Sequence, residues 1–176
     1  MSATKIDGRA YAEGLRGRVA VAVKALPSQP TLAVVLVGED PASQVYVGSK
    51  VKFTKECGMR SVEHKLAAST SEDEVVAIVR ALNSDPDVDG ILVQLPLPKG
   101  LNSDRVIEEI HPDKDVDGLT ESSAGRFISG QRGPTPLYAN GVCYACQRSI
   151  RRFDGQALCC ARTIYSCGQT RRPIIS

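Results

Sequence analysis

Tyr46 and Lys50 lie four residues apart in the run Ser43-Gln-Val-Tyr46-Val-Gly-Ser-Lys50, so on a helix they share one face, a single turn apart. A phenol and an amine held together can stack on a flat heterocycle and exchange protons with it. The plain alternative is a tyrosine that packs and a lysine that snorkels into solvent. Gln94 is the second residue of interest: it ends the apolar run Val88-Asp-Gly-Ile-Leu-Val-Gln-Leu95, just before Pro96 and Pro98. An amide there needs partners if it is buried, either a reacting group or neighbouring backbone. The third constellation is the acidic turn Asp113-Lys-Asp115-Val-Asp117-Gly118. It lacks the ligand pattern and terminal Glu of a calcium loop, so no metal is expected. A carboxylate at the mouth of a pocket can instead accept the paired N–H donors of an aminopyrimidinone ring.

The elements that position these groups follow from periodicity. Leu15, Val19, Ala22, Val23 and Leu26 mark one face of a helix ending before Pro27. The run Thr31-Leu-Ala-Val-Val-Leu-Val37 has the continuous apolar character of a parallel strand covered on both faces. Asp40-Pro41 reads as an N-cap followed by proline at the first helical position, and Gly58 as the stop of that helix. Val62, His64 and Leu66 alternate as in a half-exposed strand. Ser71-Glu-Asp-Glu74 is a capping box, followed by the stripe Val75, Ile78, Val79, Leu82. The run 88–95 is a second buried strand, and 103–110 a short helix. Strands alternating with helices predict right-handed βαβ crossovers in an α/β fold of three layers, a mostly parallel sheet with flanking helices. Ligands of such sheets bind beyond the carboxyl ends of the strands, which here means after Val37, after Leu95 and in the turn after Ile110.

Composition limits the rest. The 176 residues suffice for one core and a remnant, with 42% hydrophobic and 24% charged residues. No apolar run approaches the roughly 20 residues of a membrane span, and residues 1–9 carry no secretory pattern, so an intracellular protein is expected. The net charge of +2 is too small to suggest nucleic acid. It hides a split: residues 1–142 hold 16 Lys+Arg against 19 Asp+Glu, whereas residues 143–176 hold six Arg and only Asp154. Five of the six cysteines (Cys143, Cys146, Cys159, Cys160, Cys167) also fall in that last stretch. The expected organisation is a domain over residues 1–136 and an irregular, atypical tail over 137–176. The tail reads as a shifted frame or truncation, with a zinc site on its cysteines as the other option.

Four motifs occur together in order: Val37-Gly-Glu-Asp-Pro-Ala-Ser43, Tyr46-x-x-x-Lys50, Val93-Gln-Leu-Pro-Leu97 and Lys114-Asp-Val-Asp-Gly118. With Ala124-Gly125-Arg126 behind them, they resemble the bifunctional methylenetetrahydrofolate dehydrogenase/methenyltetrahydrofolate cyclohydrolase family over about residues 3–136. The resemblance implies that Lys50 is the catalytic lysine, Tyr46 the ring stacked on folate, Gln94 the amide assisting the lysine and Asp117 the pterin-binding carboxylate. Val47, Gly48, Ser49, Val93 and Leu95 are implied as their neighbours in the substrate site. It further implies hydride transfer from methylenetetrahydrofolate to NADP, then addition of water to the methenyl cation to give 10-formyltetrahydrofolate. Relatives are homodimers, cytoplasmic or alternatively mitochondrial, with no nucleic-acid or membrane partner. Where the family has Cys-Thr-Pro, this chain has Pro134-Thr135-Pro136. The family's Gly-Arg-Ser phosphate loop and Pro-Gly-Gly-Val-Gly-Pro segment have no counterpart after it, so NADP residues cannot be named from sequence. That departure implies impaired dehydrogenase activity, with a non-catalytic folate-binding remnant as the alternative.

Overall fold

The structure is a computed structural model that describes residues 7–129 and 131. The tail over 137–176, its cysteines and Pro134-Thr135-Pro136 lie outside the described residues. Eight elements run in the order α1 (Gly8–Lys24), β1 (Thr31–Val37), α2 (Pro41–Glu56), β2 (Arg60–Leu66), α3 (Glu72–Ser84), β3 (Gly90–Val93), α4 (Ser103–Glu108) and α5 (Glu121–Ile128). Residues 14–116 form one compact unit, and the described residues 7–13 and 117–131 belong to a second.

Within the first unit, β1 is the central strand of a three-stranded sheet ordered β2-β1-β3, with both pairings parallel. Its unbroken apolar run faces both ways. Ala33, Val35 and Val37 join Ile91 and Val93 beneath Val75, Val76, Val79 and Leu82 of α3, with Val106 of α4 and Ile110. Val34, Leu36 and Leu92 point to the opposite face, where Val47 and Val51 of α2 cover them. The result is three layers, helix, sheet and helix. Each buried valine or leucine contributes about 1.5–3 kcal/mol of transfer free energy. The two crossovers pass over opposite faces because the chain reverses its direction across the sheet after β2, and crossovers of one hand then demand opposite sides. The edge strand β2 alternates between exposed and half-buried residues, as its sequence pattern predicts.

The caps hold as read. Asp40 accepts from the Ser43 N–H at 2.8 Å, with Pro41 opening α2. Gly58 follows the end of α2 at φ +84°, a left-handed turn that suits glycine. Ser71 and Glu74 form both bonds of the capping box. Two sequence expectations need correction. The β3 ladder spans only Gly90–Val93, shorter than the apolar run, although the Gln94 N–H still donates to the Val35 carbonyl at 2.9 Å. α1 forms as expected but ends at Lys24, so Leu26 of the expected stripe lies beyond it; no residue of α1 is buried, and Leu15 is exposed. The Arg16 guanidinium stands 4.4 Å from the centre of the Phe53 ring.

Candidate functional site

In a sheet ordered β2-β1-β3 the topology reverses between β1 and β3, and the crevice beyond their carboxyl ends is where such folds place ligands. Lys50 and Gln94 meet at that end of the sheet. The Lys50 Nζ donates to Gln94 Oε1 at 3.3 Å, a contact between residues 44 apart in sequence. The amide is oriented by its other end, since Gln94 Nε2 donates to the Leu95 carbonyl at 2.6 Å, which leaves the oxygen to face the amine. Gln94 thus bonds neighbouring backbone through its nitrogen and the Lys50 amine through its oxygen. Lys50 and Gln94 are each half-buried, and the peptide between Leu95 and Pro96 is cis.

α2 supplies the lysine because of how it sits on the sheet. Ser43, Val47, Val51 and Thr54 are its buried residues, and Tyr46 and Lys50 lie on one flank of that buried stripe. Tyr46 is 65% exposed and does not pack into the core, so its ring is presented outward on the lysine's flank. Val47 and Val93 are core residues, each 3% exposed, whereas Gly48 and Ser49 are exposed and Leu95 is half-buried. Asp117 is half-buried and opens the second unit, ahead of Gly118 at φ +67°.

A hollow of about 410 Å³ lies along the other flank of α2, lined among others by Gln44, Val47, Gly48, Glu63 and Lys65. It includes neither Lys50 nor Gln94.

The described helix starts do not suit a dinucleotide phosphate, which needs open N–H groups and no nearby anion. At α2 the Asp40 carboxylate already takes the Ser43 N–H, which holds its pKa below the ordinary 3.8, and Pro41 offers no N–H. At α3 the first turn is Glu72, Asp73 and Glu74, and at α4 the Asn102 side chain takes the N–H groups of Asp104 and Arg105. α5 opens with Glu121 behind its own Thr120 cap. Among the described residues, then, the donor set does not fit NADP. Nor do they hold a group of three or more His, Cys, Asp or Glu placed to bind a metal ion, or a helix long and apolar enough to cross a membrane.

Sequence reasoning passed over three features. Asp115 is only 1% exposed, although its motif reads as a solvated turn. The Lys114 ammonium reaches the end of α3. α5 itself escaped notice, although Thr120 as its cap, Glu121 in its first turn and Arg126 in its last are ordinary local signals of a short helix.

Comparison with known proteins bears on the same residues. The family model for the tetrahydrofolate dehydrogenase/cyclohydrolase catalytic domain matches residues 6–117. The bifunctional protein FolD of Hyphomonas neptunium is 57% identical over 150 residues, covering 85% of this chain and 51% of its own length. That of Cereibacter sphaeroides is 56% identical over 159 residues, covering 88% and 54%. These shares exceed residues 3–136, so the likeness runs past Pro136. The chain spans about half the length of these curated relatives. Among solved structures, the bifunctional methylenetetrahydrofolate dehydrogenase/cyclohydrolase of Campylobacter jejuni superposes with a TM-score of 0.80 at 36% identity, covering 84% of this chain and 54% of that one. The Trypanosoma brucei enzyme, complexed with NADP and an inhibitor, gives 0.78 at 29% identity, covering 85% and 53%. With its three-layer parallel fold and its match over residues 6–117, the chain belongs to the tetrahydrofolate dehydrogenase/cyclohydrolase family.

Proposed function

We propose that the chain binds a tetrahydrofolate derivative in the cytoplasm through a folate-binding catalytic domain over residues 1–136, and that it hydrolyses the methenyl form, one of the two activities named for its relatives. The observation that carries this reading is the 3.3 Å contact from Lys50 Nζ to Gln94 Oε1 at the topological switch point. The contact holds an amine in place where a bound ligand is expected, beside a tyrosine ring turned outward on the same helix face.

Water adds to the carbon of the methenyl cation, and Lys50 as the neutral amine takes one of its protons. The bond from that carbon to N5 then breaks and the remaining water proton passes to N5, leaving 10-formyltetrahydrofolate with one proton released overall. Gln94 fixes the amine through Oε1 and so reduces the freedom lost at the transition state. Tyr46 stacks on the folate, Asp117 accepts the N–H donors of the pterin, and the backbone and side chains of Val47, Gly48, Ser49, Val93 and Leu95 form the walls. NADP, which the dehydrogenase activity uses in relatives, would supply the hydride acceptor. The described residues do not fit it, so no hydride step follows from them, and hydrolysis is the activity this chain retains more readily.

The test is methenyltetrahydrofolate hydrolysis by the wild type and by Lys50→Ala, beside calorimetric binding of a folate analogue. Lysine-dependent turnover with binding kept in the variant supports the reading. Binding without lysine-dependent turnover points to a non-catalytic folate-binding remnant instead.

A further inference from the structure

We infer that Lys114 and Gly90 are positioning residues that fix the backbone from which Asp117 follows, an inference that rests on the part given to Asp117 above. The Lys114 ammonium donates to the carbonyl oxygens of Leu82 at 3.0 Å and Asp85 at 2.7 Å. These close α3, whose last turn has no basic residue of its own. A cation there meets the negative end of the helix and adds a charged donor to two carbonyls that otherwise take only the long Asp85 and Val88 N–H bonds, at 3.4 and 3.3 Å, so the charge of Lys114 is held by the scaffold rather than offered to a ligand.

The next two residues are held by different means. The Ile91 N–H donates to the Lys114 carbonyl at 2.7 Å, and Asp115 pairs with Ile91 as a single parallel bridge at the edge of β3. Val116 then lies across Gly90, where an added Cβ would stand 2.4 Å from Val116 Cγ1. A glycine at 90 leaves the room that the Val116 side chain takes over the strand. Val116 is 37% exposed, so burial alone does not hold it there. Three successive residues are thus anchored by an ion on a helix end, a bridge to the strand and a side chain seated on a glycine. The residue after them is the carboxylate assigned to the pterin, whose grip depends on its placement.

The experiment compares folate-analogue affinity by calorimetry, kcat for methenyltetrahydrofolate hydrolysis and thermal unfolding for the full chain and its variants. Lys114→Met keeps the aliphatic stem and removes the donors, and should weaken analogue binding about tenfold with kcat at saturating substrate unchanged, while Lys114→Arg recovers part of the loss. Gly90→Ala should weaken binding to a similar degree, and adding Val116→Ala, which removes the clashing methyl, should restore it. If Lys114→Met fails to fold, the Gly90 pair decides alone. Affinity unchanged in Lys114→Met and Gly90→Ala, or not restored in the double variant, overturns the inference, as does a change confined to thermal unfolding. Asp117→Asn separates the two levels: weaker binding there with no effect at 114 and 90 sinks this inference only. Unchanged binding in Asp117→Asn sinks the role of Asp117 and this inference with it.

Discussion

α2 and α3 are both crossover helices on the same sheet, yet they are built on different terms. α3 opens with a complete capping box and buries Val75, Val76, Val79 and Leu82 in one stripe, with Ile78 partly buried beside it. α2 buries a mixed set, Ser43, Val47, Val51 and Thr54, and leaves Val45 and Tyr46 exposed at 70% and 65%. Packing explains nearly every residue of α3. On α2 it does not explain Tyr46 or Lys50, and those are the residues that meet Gln94 or face outward beside it. The contrast separates a helix whose buried stripe is wholly apolar from one that carries the residues proposed above to meet a ligand.

The largest expected effect breaks the comparison on the α2 side. Lys50→Ala should lower hydrolysis by about 10²–10⁴-fold, the usual worth of a positioned proton-transfer group, while the unfolding temperature barely moves. The counterpart on α3 is Val79→Ala, which should cost about 2 kcal/mol of stability in denaturant unfolding and leave analogue affinity per folded molecule unchanged. Should Val79→Ala instead abolish turnover in fully folded protein, the division between the two helices fails.

Smaller changes sharpen it. Ser71→Ala removes the cap of α3 and should cost about 1 kcal/mol of stability without touching kcat. The smallest effect is acid sensitivity. Asp40 on α2 and Glu72 and Glu74 on α3 are held below their ordinary values of 3.8 and 4.5, chiefly by the backbone N–H groups of Ser43, Asn102 and Ser71. A carboxyl group whose folded pKa is depressed stabilises the fold above its unfolded pKa and loses that contribution as pH falls through the folded one. The unfolding temperature should therefore decline modestly below about pH 4.5, for the caps of both helices alike.

How much of this was legible in the sequence depends on the distance over which each signal acts. The cap of α2 at Asp40-Pro41, its stop at Gly58 and the box and stripe of α3 are encoded within one or two turns, and they stand as read. The double burial of β1 was legible because an unbroken apolar run leaves no face for water. The ends of β3 were not, because they depend on Val116 lying over Gly90 and on the partners of the Gln94 side chain. The stripe on α1 marked a helix that is there, but amphipathic spacing says which face is apolar and not what covers it, and no residue of α1 is buried. In the candidate site, spacing placed Tyr46 and Lys50 on one face, but the meeting of Lys50 with Gln94 spans 44 residues and was expected only from the family resemblance. The Lys114 bonds to Leu82 and Asp85 span 32 and 29 residues, and no local pattern announces them.

The central claim is that Lys50 and Gln94 act as one unit, and a double-mutant cycle on hydrolysis tests it most directly. Lys50→Met, Gln94→Leu and the double variant would be compared with wild type at saturating methenyltetrahydrofolate. The account predicts that Gln94→Leu slows the wild type by about tenfold or more and slows Lys50→Met hardly at all, since the amide acts through the amine. Fully additive losses, with Gln94→Leu equally harmful whether or not the lysine is present, would contradict it.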